Sequence, residues 1–402
     1  MDKDVLIIAS FTTVPGEKGN SRFNYIAQEL SKEEGLKLEL ITSNFSHEKK
    51  EKRYVSKEKL DKLSYKLTMV KEKGYKKNIC LKRFYSHYTM AKSLKVYLNS
   101  RKKPDLIYCA IPSLSVGKVV SRYCKKNNIK FVIDVQDLWP EAFMMIFNIP
   151  IISNGIYFPF KVLANSIYKA ADKVVAVSNT YVKRVKQINR NDKEGVTVFL
   201  GTDLNYFDNL SKNYKIEKKE NEIWISYIGT LGHSYNIKVV IDAISLIKQR
   251  KEENIKLIIM GNGPLKEEFE EYAKEKKVEA VFTGRLEYSK MASYLTKSDI
   301  AVNPIKKGAS SIINKVGDYA AASLPVLNTQ ESDEYRELVT NYNIGLNSRN
   351  EDPRELANNI SKLVKNKRLR ETMGLNNRKL AEEKFDRRYT YKKIFDLIKS
   401  CL

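Results

Sequence analysis

The chemistry of this 402-residue chain concentrates in residues 310–326, SSIINKVGDYAAASLPV. Ser310, Ser311 and Ile312 lead into Asn314 and Lys315, and Asp318 follows Lys315 by one helical turn. The run just before, IAVNP at 300–304, reads as a buried strand. A strand that ends in a polar loop and opens a helix offers free backbone N–H groups to an anion. Lys315 adds a positive charge there, and Asp318 is placed to accept from ribose hydroxyls. The same residues also read as a helix cap with an exposed Lys–Asp pair. The block alone does not separate the two.

Other loops fall at strand ends in the same way. Gly229-Thr230-Leu231-Gly232-His233-Ser234 lies between a strand and a helix, so its backbone can approach a diphosphate closely. His233 either donates to a phosphate oxygen or caps the helix. Gly261-Asn262-Gly263-Pro264 is a strand-to-helix turn with proline at the first helical position. Thr283-Gly284-Arg285-Leu286 ends a further strand and can seat a base through its main chain. Near the amino end, Pro15 to Ser21, with Gly19 and Asn20, forms a glycine-containing turn at a helix start and a further anion site.

Positioning these loops takes alternating strands and helices. Short apolar runs at 5–9, 38–42, 106–110, 131–134, 174–178 and 196–200 are separated by amphipathic stretches, as are runs at 223–228, 257–260, 280–283, 300–303 and 326–328. The pattern predicts parallel sheets with crossover helices in an α/β chain. Two doubly wound domains follow, 1–205 and 206–380, with the polar stretch 201–222 as hinge and a terminal helix at 381–402 packing back on the first domain. Facing each other, they leave a cleft at the carboxyl ends of both sheets.

Composition narrows the class. The chain is too long for one ordinary core. Four cysteines without CxxC pairing point to a reducing, cytoplasmic setting. Three histidines, at 47, 87 and 233, form no HxH or HExxH pattern, so a structural zinc site is not expected. The amino-terminal apolar run is short and reads as a strand rather than a signal peptide. Residues 142–160 carry no charge, but Asn148, Pro150, Gly155 and Pro159 interrupt them, leaving a buried inter-domain segment or a loop dipping into a membrane surface. The net charge is +24, and residues 45–103 hold 19 Lys and Arg against five acids, an excess of 14. Such a segment attracts anionic lipid at about 1 kcal/mol per charge. It also suits nucleic acid or a merely solvated lysine-rich face, and no nucleic-acid motif accompanies it.

The order of these motifs resembles the family 4 glycosyltransferases of the GT-B fold, over nearly the whole chain. The resemblance rests on the glycine loop at 16–21, Asp134-Val135-Gln136-Asp137-Leu138-Trp139-Pro140-Glu141, residues 171–178 (ADKVVAVS), and Leu200-Gly201-Thr202-Asp203 with Phe207. The loops at 229–234, 261–264 and 283–285 then follow in order, with 314–326 last. The 137–141 run is most similar to the branch that builds capsule and O-antigen repeat units, often from N-acetylhexosamine or 6-deoxy-hexosamine donors. Three departures stand out. Ser310 and Asp318 occupy the positions of two glutamates common in the family, and Ser323 replaces a glycine. The usual Arg/Lys pair after the first strand of the second domain is missing, leaving His233 and Lys315. Gln136 stands where a histidine is frequent, which leaves Asp137 as the catalytic-site candidate, with a helix N-cap as its plain alternative.

The resemblance implies a retaining transferase without a metal or other cofactor, moving sugar from a UDP-sugar to a lipid-linked saccharide at the inner face of the cell membrane. The expected donor-binding residues are Gly19, Asn20, Gly229, Thr230, Gly232, His233, Gly261, Arg285, Leu286, Ser310, Ser311, Ile312, Asn314, Lys315 and Asp318. A UDP-sugar 2-epimerase of the same fold and a catalytically inactive partner subunit are the rival readings.

Overall fold

The computed structural model describes residues 2–17, 21–77, 80–141, 152–249, 254–306 and 315–402. The chain divides into two compact units, Met1–Val198 with Tyr391–Leu402, and Phe199–Thr390.

The first unit is built on β1 (Lys3–Ile8), β2 (Leu36–Ser43), a small antiparallel pair β3 (Phe45–Ser46) and β4 (Glu51–Lys52), then β5 (Lys66–Val70), β6 (Leu106–Ile111), β7 (Lys130–Val135), β8 (Lys173–Ala176) and β9 (Val196–Thr197). Seven of these form a parallel sheet in the order β5-β2-β1-β6-β7-β8-β9. Central strands covered on both faces are apolar throughout, which is why β6, LIYCAI, is buried at every position. Strand order reverses between β1 and β6, the place where open α/β sheets hold ligands.

The second unit repeats the scheme with β10 (Ile223–Ile228), β11 (Ile255–Met260), β12 (Ala280–Gly284), β13 (Ile300–Asn303), β14 (Val326–Asn328) and β15 (Gly345–Asn347). Their order is β12-β11-β10-β13-β14-β15, all parallel, with the reversal between β10 and β13.

The α/β architecture with two parallel-sheet units is the one expected. Its boundaries fall elsewhere: residues 199–205 and 381–390 pack with the second unit. The expected hinge contains the helix Leu204–Leu210, whose cap Asp203 accepts from the Tyr206 N–H at 3.0 Å and whose Leu204 and Phe207 are buried in that unit's core. Polar composition at 211–222 hid this short helix. At the other end, the helix Lys392–Ser400 buries Ile394 and Ile398, with Tyr391, against β1 and β6 side chains of the first unit. The basic segment 45–103 contains β3, β4, β5 and the helix Leu81–Ser100. Residues 142–151 lie outside the described residues, and 152–160 open the helix Ile152–Ala170. Among the described residues no helix is long and apolar enough to cross a membrane.

Candidate functional site

The second unit places two glycine loops side by side beyond β10 and β11. Gly229 has φ +139°, a conformation that disfavours any side chain. Its N–H donates to the Met260 carbonyl at 3.0 Å, and the Leu231 N–H to that of Asn262 at 3.0 Å. A Cβ on Gly261 would stand 1.8 Å from the Gly229 oxygen, so only glycine permits this approach. Thr230 is exposed, and Gly232 accepts from the Tyr235 N–H in a turn that carries exposed His233. The following helix, Ile237–Gln249, takes its side-chain bond from Asn236, whose Oδ1 accepts from the Val239 N–H at 3.2 Å. His233 therefore projects from the loop and is not that cap.

Lys315 opens the helix Lys315–Ala321, which crosses back toward β10, and is 6 % exposed. Its Nζ sits 4.0 Å from the centre of the Tyr227 ring and 4.1 Å from that of Tyr235, and 3.0 Å from where a Gly229 Cβ would be. It has no hydrogen-bond partner among the described residues. Burial pushes its ammonium well below the ordinary lysine value. A buried amine packed on two aromatic rings and short of acceptors carries a desolvation cost that an anion would offset. It is not the exposed half of a surface Lys–Asp pair.

Asp318 is engaged instead by Thr202 Oγ1 at 3.0 Å and the Tyr288 hydroxyl at 2.8 Å, both donating to its Oδ1. Desolvation pushes its carboxyl up, against those two bonds. Arg285, exposed, and Leu286, packed on the core, follow β12. Gly19, Asn20, Ser310, Ser311, Ile312 and Asn314 lie outside the described residues.

In the first unit, Asp137 follows β7. Its Oδ1 accepts from the Leu138 N–H at 3.0 Å and the Tyr181 hydroxyl at 3.2 Å, and its Oδ2 from Trp139 Nε1 at 3.3 Å. Burial raises its pKa, with the Tyr181 and Trp139 bonds opposing. The carboxylate is thus oriented by two aromatic donors and caps no helix among the described residues. Two residues upstream of Gln136, the buried Asp134 accepts from Arg22 Nε at 2.7 Å, Tyr108 at 2.5 Å and Gln136 Nε2 at 2.6 Å, which fixes the strand end that presents Asp137. Sequence reading missed Arg22, Tyr181, Tyr227, Tyr235, Thr202 and Tyr288. Only Thr202 stood inside a recognised motif. It also missed a buried group of His47, Glu72 and His87 on the same rim.

Residues 207–380 match the family model for glycosyl transferases, group 1. The chain is 26% identical over 246 residues to an uncharacterized glycosyltransferase of Methanocaldococcus jannaschii, covering 60% of this chain and 62% of that protein. It is 30% identical over 124 residues to the Campylobacter jejuni GalNAc-alpha-(1->4)-GalNAc-alpha-(1->3)-diNAcBac-PP-undecaprenol alpha-1,4-N-acetyl-D-galactosaminyltransferase, covering 31% of this chain and 30% of that one. The chain thus spans less than two thirds of these curated relatives. Among solved structures, sucrose-phosphate synthase from Thermosynechococcus elongatus superposes with a TM-score of 0.74 at 14% identity, covering 99% of this chain and 98% of that one. Anabaena HepE in complex with UDP-glucose gives 0.67 at 14% identity, covering 99% of each. The fold is that of the GT-B glycosyltransferases.

Proposed function

We propose that the protein is a retaining glycosyltransferase that moves a sugar from a UDP-sugar to a lipid-linked saccharide in the synthesis of a bacterial surface polysaccharide. The observation that carries this reading is Lys315, a buried amine with no hydrogen-bonding acceptor among the described residues, beside the Gly229 loop. A diphosphate supplies the missing acceptors. In the transfer, the bond from the anomeric carbon to the β-phosphate oxygen breaks while the acceptor oxygen bonds to that carbon on the same face. The acceptor hydroxyl proton passes to the departing phosphate, and UDP leaves. Charge growing on the phosphate is what Lys315, the Gly232 amide and His233 would stabilise, while Asp318 with Thr202 and Tyr288 lines the ribose side. Asp137 would orient a hydroxyl of acceptor or sugar.

A UDP-sugar donor is supported by the likeness to HepE, solved with UDP-glucose, and a lipid-diphosphate acceptor by the Campylobacter relative. Two features of the first unit suit such an acceptor. A hollow of about 820 Å³ is walled by Lys50, Lys52, Lys73, Lys76, Lys77 and Lys82. The helix Leu81–Ser100 leaves Leu81, Tyr85, Tyr88 and Val96 exposed at helical spacing, with Lys82, Lys92 and Lys95 beside them. Apolar side chains ringed by lysines suit the cytoplasmic face of an anionic membrane.

Calorimetric titration with UDP tests the reading. Wild type binds UDP, and Lys315→Met binds about 10- to 100-fold more weakly, the worth of a charge-assisted bond. Equal UDP affinity in both proteins overturns the proposal. Turnover is read as UDP released only when a lipid-diphosphate saccharide accompanies a UDP-N-acetylhexosamine.

A further inference from the structure

From the convergence of His47, Glu72 and His87 on the rim of the first unit, we infer a binding site for one divalent transition-metal ion of the zinc class. The three residues come from separate segments: His47 just after β3, Glu72 just after β5, and His87 in the second turn of the helix Leu81–Ser100. One nitrogen or oxygen from each lies within 4.8 Å of the others. His47 Nε2 and Glu72 Oε2 are 3.3 Å apart. That already matches the roughly 3.3–3.5 Å between ligands of a tetrahedral ion with bonds of about 2.0–2.1 Å. Apart from that 3.3 Å contact between the first two, His47 Nε2, Glu72 Oε2 and His87 Nε2 are buried without a hydrogen-bond partner among the described residues. Three such atoms on one point are costly unless something satisfies them together.

The surrounding bonds are those that orient metal ligands. His47 Nδ1 contacts the Tyr75 hydroxyl at 2.9 Å, which leaves Nε2 as the ligating nitrogen. Glu72 Oε1 accepts from Ser86 Oγ at 2.5 Å, its N–H donates to Asn44 Oδ1 at 2.8 Å, and the Gly74 N–H donates to Ser86 at 2.9 Å. Phe11, Phe45 and Trp139 pack on the imidazoles and keep the centre dry. The protonation states agree. Burial lowers the pKa of His87 to about 3 and that of His47 below its ordinary value, so both imidazoles are neutral. Burial opposes ionisation of Glu72, but the contact with His47 and the hydroxyls of Ser43 and Ser86 bring it to about 2. Two neutral imidazoles and one carboxylate are a donor set for zinc-class ions.

The ion would staple three parts of a segment whose charge excess drives them apart. Its three ligands all belong to the first unit. Neither local spacing nor an HxH pattern announces it, because 25 and 15 residues separate the ligands along the chain.

Cobalt(II) titration of the full, tag-free chain tests this. We expect visible d–d absorption that saturates at one equivalent, without a thiolate charge-transfer band that would indicate Cys80 or Cys401. Zinc should displace it and raise the melting temperature. Glu72→Gln and His87→Asn should lose the band, and Tyr75→Phe, folded as wild type, should weaken binding about tenfold. Wild type that gives no saturable band overturns the inference, as does a band unchanged in Glu72→Gln. If the ligand variants fail to fold, unaltered affinity in Tyr75→Phe has the same consequence.

Discussion

The two units solve the same problem, holding polar groups at the carboxyl ends of a parallel sheet, with different materials. In the second, the backbone does most of it. Gly229 and Gly261 bring two loops together, and one lysine fills the notch between Tyr227 and Tyr235. In the first, side chains do it: Arg22, Tyr108 and Gln136 hold Asp134, while His47, Glu72 and His87 meet from three segments. A backbone site suits a diphosphate, whose oxygens need many donors and little shape. A side-chain site selects by chemistry and responds to protons.

Acid should break the comparison most sharply. Folded His87 has a pKa of about 3 against an ordinary 6.5, so below pH 6.5 the unfolded chain takes up a proton that the folded one refuses. Glu72, at about 2 against 4.5, contributes stability above pH 4.5 that is lost as pH falls toward 2. Both act in one direction, each with a limiting slope of about 1.4 kcal/mol per pH unit. Hydrogen exchange between pH 7 and 4.5 should therefore show residues 45–103 losing protection first, and His87→Asn should flatten that dependence. Protection lost first around 229–263 would reverse the assignment.

Gly261→Ala tests the backbone side. With the Gly229 oxygen in the way, the loops must part, at a cost of about 1–3 kcal/mol. Denaturant unfolding should show a lower midpoint, and UDP affinity should fall with it. A smaller effect is expected for Tyr288→Phe, which removes one of two donors to Asp318 Oδ1. The loss is about 1 kcal/mol, read as a several-fold rise in KM for the donor with kcat little changed. Comparable damage from Tyr288→Phe and Gly261→Ala would mean that side chains matter as much in the second unit as in the first.

Legibility followed the same divide. Strands β10 and β13 are apolar runs between turn residues, and their bounds match the sequence pattern. The glycine loops were legible because a strand-to-helix turn needs glycine. β5, KLTMV, was hidden: it is an edge strand inside a lysine-rich stretch, and Lys66 there pairs with Glu39 at 3.1 Å. Lys315 could be placed at the site, but its burial depends on tyrosines 88 and 80 residues upstream, which no local pattern marks. Asp318 could be placed toward ribose, but no local pattern marks Thr202 and Tyr288 as the donors to one of its oxygens. The His–Glu–His group was illegible for want of any short-range spacing.

Tyr391–Leu402 returns to the first unit after Phe199–Thr390 has formed the second. On a ribosome, then, the later-encoded unit has its whole core in hand while the earlier one still waits for Ile394 and Ile398. A message truncated just past residue 390 would yield a finished second half beside a first half with an open apolar seam, a product that quality-control proteases would recognise from its unfinished end.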